Sequence, residues 1–301
     1  KKEGTVMSKT KLLRELIEKD GMYVLPGVSN AFFANLVETA GYEIIYVSGA
    51  AMSNMNFNLP DYNMITMTEN LEIAKRINDA VSAPVICDID NGYGGYINVY
   101  RTLLEYSKAG ISGVQLEDQQ NPKRCGHFED HAVIPVGEMV GKIKAARDGA
   151  VEDTFILART DALSATGSFN EAVDRMGAYL EAGADGVFIE AVKTVEQMKR
   201  IPQIFAGKPC LVNLVEHGKT PILNNAEYEA MGFKFALYAA QHLKAAAFGV
   251  NNYLEYLKKY GTTEGADNVC MITSEMRHIL THKDEYKNRI AGYEHIYSTR
   301  E

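Results

Sequence analysis

The sequence predicts an α/β protein built as a (β/α)8 TIM barrel, and three observations support this fold. Short apolar runs alternate with amphipathic segments along most of the 301 residues. Glycines recur where the amphipathic segments end. No GxGxxG motif follows the first apolar run, which disfavours the competing interpretation, an open doubly wound sheet. A single barrel of about 250 residues also fits this chain length.

The apolar runs are the expected strands. The runs are predominantly apolar rather than alternating, which is typical of parallel strands that are buried on both faces. The runs are Met22–Leu25, Ile44–Val47, Val85–Cys87, Val114–Leu116, Phe155–Ala158, Val187–Ile189, Cys210–Val212 and Phe235–Leu237.

The segments between the runs have the periodicity of amphipathic helices. Apolar residues recur at spacings of three and four within Leu71–Val81 and again within Phe169–Leu180, so each segment forms one apolar face. Ser168 and Thr194 each stand three residues before a Glu or Gln, a spacing that predicts a capping box at the start of a helix.

Glycines that precede the strands give the length of the repeat. Gly41, Gly110 and Gly183 lie about 70 residues apart, and each interval holds two units of about 35 residues, a plausible length for one strand and one helix. Glycine tolerates the left-handed conformation that often ends a helix. Eight such units end near Tyr260, so we expect a barrel-shaped catalytic domain over residues 8–260.

The remaining residues are expected to lie outside the barrel. We expect residues 1–7 to form a disordered or added tail, because Met7 has the character of a natural start. Residues 261–301 are expected to form a helical extension, with a helix near Ser274–Lys287.

The composition narrows the partners and the compartment. A net charge of −8 disfavours binding to nucleic acid, because the phosphate backbone is itself negative. No apolar run approaches about 18 residues, so no membrane-spanning helix is expected. The widely spaced cysteines and the lack of a signal-peptide pattern predict a cytoplasmic protein.

Polar residues end six consecutive runs. Barrel active sites lie at the carboxyl ends of the strands. Buried polar groups need partners, so a convergence of these ends on one rim indicates a functional site rather than unrelated strand ends. The residues are Ser48, Asp88, Glu117, Arg159, Glu190 and Asn213.

This rim contains a predicted metal site. Asp88 and Asp90 stand two residues apart, a spacing that points both side chains to the same side of a strand, and Glu117 follows the next run. Asp61, in the loop after the second strand, completes an all-oxygen ligand set that selects a hard cation such as Mg²⁺, with Mn²⁺ able to substitute. The alternative is that these carboxylates form ordinary ion pairs with Lys or Arg.

A long connection between Asp118 and Val133 is expected to act as a mobile lid. It contains the sequence Lys-Arg-Cys-Gly-His, from Lys123 to His127. A thiol beside two cations and an imidazole has a lowered pKa, which makes Cys125 a candidate acid, base or nucleophile. The alternative is a solvated basic loop with an incidental cysteine.

The order of these motifs indicates a family. The sequence D-x-D-x-G-Y-G begins at Asp88, E-D-Q at Glu117, K-R-C-G-H at Lys123 and A-R-T-D-A at Ala158. In this order the chain resembles the isocitrate lyase/phosphoenolpyruvate mutase superfamily over most of the predicted barrel. Within it, the chain resembles the branch of methylisocitrate lyase, 2,3-dimethylmalate lyase and oxaloacetate hydrolase.

The resemblance implies Mg²⁺-dependent cleavage of a malate-like 2-hydroxy di- or tricarboxylate to an α-keto acid and a carboxylate. Asp88 would be the most direct metal ligand, and Cys125 would be the acid that protonates the carbanion. A homodimer or homotetramer that exchanges its C-terminal helix between subunits is also implied. The other implied catalytic residues are Lys123, His127, Tyr46, Arg159 and Glu190, and the implied substrate contacts are Ser48, Gly49, Ala50, Gly126, His127, Arg159, Glu190 and Asn213.

The chain departs from the family pattern where a third carboxylate would bind. Val215 stands where methylisocitrate lyases carry threonine, and Ala239 and Ala240 follow Tyr238 where proline is usual. A dicarboxylate such as a dialkylmalate or oxaloacetate is therefore as well supported as a methylisocitrate-like tricarboxylate. The alternative functions are a phosphonomutase of the carboxyphosphonoenolpyruvate type, an oxaloacetate hydrolase or decarboxylase, and a non-catalytic keto-acid-binding protein, which the thiol disfavours.

Overall fold

A computed structural model describes residues 7–123, 132–267 and 269–298. The chain divides into two compact units, one up to His242 and one from Leu243 onward. Within the described ranges, no helix is both long and apolar enough to cross a membrane. The domain boundaries expected from the sequence stay predictions.

The strands form a closed parallel barrel in which each strand pairs with the next and β1 pairs with β8. Every strand overlaps the apolar run expected for it, so the predicted (β/α)8 fold is confirmed. β1 extends past Leu25 because Gly27 and Val28 pair with β2. The strands are β1 (Tyr23–Val28), β2 (Ile45–Val47), β3 (Val85–Asp88), β4 (Gly113–Glu117), β5 (Phe155–Thr160), β6 (Gly186–Ile189), β7 (Cys210–Asn213) and β8 (Phe235–Tyr238).

Helices follow the strands around the barrel, and further helices make up the second unit. Those that lie in the first unit are α1 (Lys9–Glu18), α2 (Ala31–Thr39), α3 (Gly49–Phe57), α4 (Met67–Ala80), α5 (Tyr96–Lys108), α6 (Val136–Gly149), α7 (Ala162–Thr166), α8 (Phe169–Glu181), α9 (Val195–Ile204) and α10 (Asn225–Met231). The remaining helices are α11 (Gln241–Tyr260), α12 (Ser274–Leu280) and α13 (Lys283–Ser298).

The expected helix starts are formed at α8 and α9. The Ser168 and Thr194 side chains each accept a hydrogen bond from the backbone amide three residues further on. The reciprocal half of the box at Ser168 is not formed, because the Glu171 carboxylate accepts from Arg175 one turn further along the helix.

The single helix expected near Ser274–Lys287 is wrong. Two helices, α12 and α13, replace it, and Thr281 is the C-cap of the first. His282 then adopts a left-handed φ of 51°, a conformation that an α-helix cannot contain. The break therefore comes from the backbone of one residue, which the helical pattern of side chains does not reveal.

Side chains of each strand divide between two apolar layers. In β5, Leu157 belongs to the cluster inside the barrel and Ile156 to the cluster between the barrel and its helices, as expected from the two-residue alternation of a strand. Leu13 and Leu16 of α1 join the inner cluster. Leu13 packs beside Gly113, the first residue of β4, so α1 covers the amino ends of the strands and leaves the carboxyl ends for the polar rim.

The close approach of β1 and β8 gives a first testable prediction. A Cβ on Gly27 would lie 2.0 Å from the backbone oxygen of Ala239, and a backbone atom cannot move aside cheaply. We expect Gly27→Ala to lower the free energy of unfolding by about 3 kcal/mol, the upper end of the usual cost of overpacking. Urea unfolding followed by circular dichroism measures this.

The matched control is Gly177→Ala in α8, where an added Cβ meets no atom within 4 Å. Replacing a helical glycine by alanine should raise the free energy of unfolding by about 0.5–1 kcal/mol. Equal stability of the two variants would contradict the prediction.

Candidate active site

β5 shows how the fold builds the polar rim. Leu157 lies in the apolar interior, and Arg159, two residues further on, faces the same side because side chains alternate along a strand. The inward side chains of this strand are therefore apolar along its length and become polar at its carboxyl end. The same two-residue step leads from interior apolar residues to Ser48, Asp88, Glu190 and Asn213, all of which are buried.

Lys123 lies among the predicted metal carboxylates. Its Nζ is 2.9 Å from Asp61 Oδ1 and 2.6 Å from Asp90 Oδ1, and its side chain is 2% exposed. Burial by itself would lower the pKa of Lys123, but Asp61 and Asp90 raise it well above its usual value. The ammonium group therefore stays charged, and it compensates part of the repulsion among these carboxylates.

Asp88 and Asp90 meet through a turn and not through strand alternation, so the expected geometry is wrong. β3 ends at Asp88, and Asp90 follows with a left-handed φ of 51°. The backbone N–H of Asp90 donates to Asp88 Oδ1 over 3.0 Å, which stabilises this turn. Burial raises the pKa of Asp90 to about 6, although Lys123 opposes the shift.

The backbone of Gly49 lies close against these two carboxylates, where a larger residue would not fit. A Cβ on Gly49 would lie 2.9 Å from Asp88 Oδ2 and 3.4 Å from Asp90 Oδ1. Gly49 is also the first residue of α3, and the Ser48 side chain caps this helix by accepting from the Ala51 amide over 3.3 Å. The amides of Gly49 and Ala50 lie in the first turn, where no intrahelical acceptor exists, so they suit an anion.

The donor set fits a hard divalent cation that is bound through few direct ligands. Glu117 Oε1 makes no hydrogen bond within the residues that the structure describes, and burial raises the pKa of Glu117 well above its usual value. In the described ranges, no three His, Cys, Asp or Glu side chains are placed to hold a metal ion together. Mg²⁺ commonly uses one or two carboxylates and keeps several waters, so one direct contact from Asp88 suffices.

Arg159 is held by carboxylates on three sides. Its Nε and Nη2 donate to Asp161 over 2.9 Å each, Nη1 lies 3.2 Å from Glu117 Oε2, and Nη2 lies 3.4 Å from Glu190 Oε2. The guanidinium also lies 5.2 Å above the Phe188 ring. Burial would lower the pKa of Arg159, but the carboxylates raise it well above its usual value. The rim thus offers a permanent, rigidly oriented cation.

Glu190 and Asn213 form a pair on neighbouring strand ends. Asn213 Nδ2 donates to Glu190 Oε2 over 3.0 Å, and Glu190 Oε1 accepts from the Ala191 amide over 2.7 Å. Asn213 Oδ1 is buried and has no hydrogen-bond partner among the described residues. This oxygen is an acceptor that a ligand can use.

Gln115 is a site residue that the sequence reasoning missed. Its Nε2 donates to Asp88 Oδ1 over 3.1 Å, and its Oε1 accepts from the Tyr46 hydroxyl over 2.5 Å. Tyr46 thus lies inside the barrel, where burial and the nearby Asp88 raise its pKa well above the usual value. The available signal was a polar residue two positions before Glu117, on the inward face of an otherwise apolar strand.

A buried network behind Arg159 was also missed. The Asp118 carboxylate accepts from Thr160 Oγ1 over 2.7 Å, from the Asp161 amide over 3.0 Å and from Tyr179 Oη over 2.7 Å. Arg175 Nη1 adds a contact of 3.4 Å. Since Asp161 holds Arg159, this network fixes the backbone that orients the rim cation. Two of its members lie on the apolar face of α8, where the helical pattern predicts only packing.

The two ends of the predicted lid pair with each other. Gln119 forms an antiparallel bridge with Val133, and the Gln120 amide donates to Ala132 O over 2.8 Å. Three site residues of this segment lie outside the described residues, so their roles stay predictions. These are Cys125, Gly126 and His127.

Comparisons with known proteins agree with this architecture. The chain matches the phosphoenolpyruvate phosphomutase family over residues 13–258. It is 40% identical to the 2,3-dimethylmalate lyase of Eubacterium barkeri over 288 residues. This aligned region covers 95% of this chain and 97% of that protein.

Solved structures of related proteins have the same fold over nearly the whole chain. A crystal structure of 2,3-dimethylmalate lyase, described as a PEP mutase/isocitrate lyase superfamily member, has a TM-score of 0.88 at 32% identity and covers 96% of each chain. A phosphonopyruvate hydrolase in complex with oxalate and Mg²⁺ has a TM-score of 0.85 at 28% identity, and covers 95% of this chain and 99% of that one.

The Asp118 network leads to a second prediction. Asp118→Asn keeps the shape but turns an amide N–H₂ towards groups that are themselves donors. We expect the free energy of unfolding to fall by about 3 kcal/mol, in the range for breaking a buried charged network. Asp153→Asn is the control, because the Asp153 side chain is 75% exposed in its ion pair with Arg14 and should cost less than about 1 kcal/mol. Similar losses, measured in urea, would contradict the role assigned to Asp118.

Proposed function

The chain belongs to the PEP mutase/isocitrate lyase superfamily, and on that premise we propose that it is a Mg²⁺-dependent carbon–carbon lyase. It cleaves a malate-like 2-hydroxy dicarboxylate to an α-keto acid and a second carboxylate. Support for this substrate class comes from similarity to 2,3-dimethylmalate lyase over nearly the whole chain. The missing threonine at Val215 favours two carboxylates over three.

The observation that carries the proposal is the close approach of Gly49 to Asp88. Asp88 Oδ2 makes no hydrogen bond with a described residue, and a Cβ at Gly49 would lie only 2.9 Å from it. Gly49 also begins α3, whose first-turn amides have no intrahelical acceptor. A carboxylate for a cation beside amides for an anion is the arrangement that a chelated 2-hydroxy or 2-keto acid requires.

Four carboxylates of the rim would hold the cation. Asp88 would bind it directly, and Asp61, Asp90 and Glu117 would hold its waters. When bound, the cation would act as a Lewis acid on the hydroxy acid end of the substrate and stabilise negative charge as the carbon–carbon bond breaks. The structure of a similar hydrolase with oxalate and Mg²⁺ supports this choice of metal.

The reaction assigns different tasks to the other rim residues. A base removes the proton of the substrate hydroxyl, the adjoining carbon–carbon bond breaks, and the electron pair of that bond passes to the carbon of the departing carboxylate. Arg159 and the amides of Gly49 and Ala50 bind and orient the acid that becomes the α-keto acid. The departing carbanion must be protonated at carbon, and Cys125 is the proposed donor. The remaining proposed contacts are Tyr46, Ser48, Lys123, Gly126, His127, Glu190 and Asn213.

We also propose a homodimer or homotetramer that exchanges C-terminal helices, acting in the cytoplasm. α11 buries none of its residues, and large apolar side chains of the second unit are exposed, as expected of surfaces that a second copy covers. These side chains are Phe248, Leu254, Ile279, Ile290 and Tyr293. The widely spaced thiols suit a reducing compartment.

Metal dependence is the first test of the function. Wild-type protein should release a keto acid from one of a panel of alkyl-substituted malates when Mg²⁺ or Mn²⁺ is present, and EDTA should abolish this. Gly49→Ala should weaken Mn²⁺ binding at least tenfold, because its Cβ would lie 2.9 Å from Asp88 Oδ2 and displace the proposed metal ligand. Gly95→Ala, where a Cβ meets no atom within 4 Å, is the control. Full turnover in metal-free protein would refute the proposal. Hydrolysis of oxaloacetate, with no cleavage of the malates, would assign the protein as an oxaloacetate hydrolase instead.

Cys125→Ser tests the proton donor. The hydroxyl is a far weaker acid than the thiol, so kcat should fall about 10²–10⁴-fold, the usual contribution of a general acid. Pyruvate affinity should hardly change, because its contacts come from the strand ends. Cys270→Ser is the matched control, since Cys270 lies in the second unit and the same substitution there should leave kcat unchanged. Turnover within a few-fold of wild type would remove Cys125 from the mechanism.

A further inference from the structure

Gln115 connects two groups of the site that no other described side chain joins. It is 1% exposed and pairs in register with Asp88 across β3 and β4. Its amide nitrogen lies 3.1 Å from Asp88 Oδ1 and its amide oxygen 2.5 Å from the Tyr46 hydroxyl. A neutral side chain thus bridges the metal carboxylate and a buried phenol.

We propose that Gln115 is a positioning residue that orients the Asp88 carboxylate for the cation and fixes the proton of Tyr46, an inference that rests on the proposed function. Asp88 Oδ1 is occupied by two donors, the Gln115 amide and the backbone N–H of Asp90. Asp88 Oδ2 lies on the side of Gly49, where an added Cβ would be 2.9 Å from it, and makes no hydrogen bond with a described residue. The two donors therefore determine that Oδ2, and not Oδ1, is the oxygen of Asp88 that can bind the cation.

The chemistry of the amide dictates its orientation. An ionised carboxylate only accepts hydrogen bonds, so the N–H₂ end of Gln115 must face Asp88. The carbonyl end then faces Tyr46, and a carbonyl oxygen only accepts, so the phenol must donate. A single amide thereby fixes the carboxylate and the direction of the Tyr46 hydroxyl together. An apolar residue at position 115 would leave both the Asp88 carboxylate and the Tyr46 hydroxyl free to rotate. A carboxylate at this position would repel Asp88.

The backbone of Asp88 has a separate anchor, which makes the role of Gln115 testable. Asn70 Nδ2 donates to the backbone oxygen of Asp88 over 3.2 Å, and β3 pairs with its neighbours on both sides. Loss of the Gln115 amide should consequently free the carboxylate to rotate without moving the strand. Removal of hydrogen-bond partners behind metal ligands commonly weakens metal binding by about 10–100-fold.

The experiment measures Mn²⁺ affinity directly, by electron paramagnetic resonance of free Mn²⁺ with no substrate present. Gln115→Met has similar length and no hydrogen-bonding group, and we expect it to weaken Mn²⁺ binding about 10–100-fold. The Mg²⁺ concentration needed for half-maximal turnover should rise by a similar factor. Gln115→Asn, which keeps the amide but withdraws it by one methylene, should give the same direction of change and serves if the Met variant does not fold.

Two further variants separate the possible outcomes. Asn78→Leu removes a buried amide that binds Lys9 and Ala109 instead of the rim, so it should lower the melting temperature and leave Mn²⁺ affinity at the wild-type value. Asp88→Asn should abolish Mn²⁺ binding. If Asp88→Asn loses the metal while Gln115→Met and Gln115→Asn bind it like wild type, the positioning role is overturned and the proposed function stands. If Asp88→Asn binds Mn²⁺ normally, the metal assignment falls and the role of Gln115 falls with it.

Discussion

The concentration of buried negative charge at the carboxyl ends of the strands is the constraint on which the rest of the site depends. Parallel strands in a closed barrel bring Asp88, Glu117 and Glu190 to one rim, where burial makes their mutual repulsion costly. The chain opposes this charge with the ammonium of Lys123 and the guanidinium of Arg159. Asp88 has no ion pair with a described residue. It is therefore the carboxylate for which an external cation is the natural partner.

The fold was predictable because its strands have a strong and simple pattern. Parallel strands buried on both faces are continuously apolar, and each expected run coincides with a strand of the barrel. What the pattern could not give is set by the backbone alone. The extension of β1 to Val28 comes from the pairing of Gly27 and Val28 with β2, and the break between α12 and α13 depends on the φ of His282.

The sequence predicted the site residues that stand at strand ends, but it did not predict the residues that hold them in place by hydrogen bonds. The rule that a polar residue ends an apolar run finds Arg159 and Asp88, since burial of such groups is unusual enough to stand out. It does not find Gln115 or Arg175, because neither residue stands at the end of an apolar run. Distinguishing them needs the hydrogen-bond partners, and these come from strands and helices that are remote in sequence.

β4 shows why the rim and its support cannot vary independently. Glu117 and Asp118 are consecutive, so alternation directs the first towards the site and the second away from it. Glu117 contacts Arg159 from the side of the rim, while Asp118 holds the Thr160–Asp161 backbone that orients the same arginine from behind. A shift of β4 by one residue would turn Glu117 away from Arg159 and Asp118 away from Thr160 and Asp161. The register of one strand thus fixes both the charge that the site presents and the network that keeps it in place.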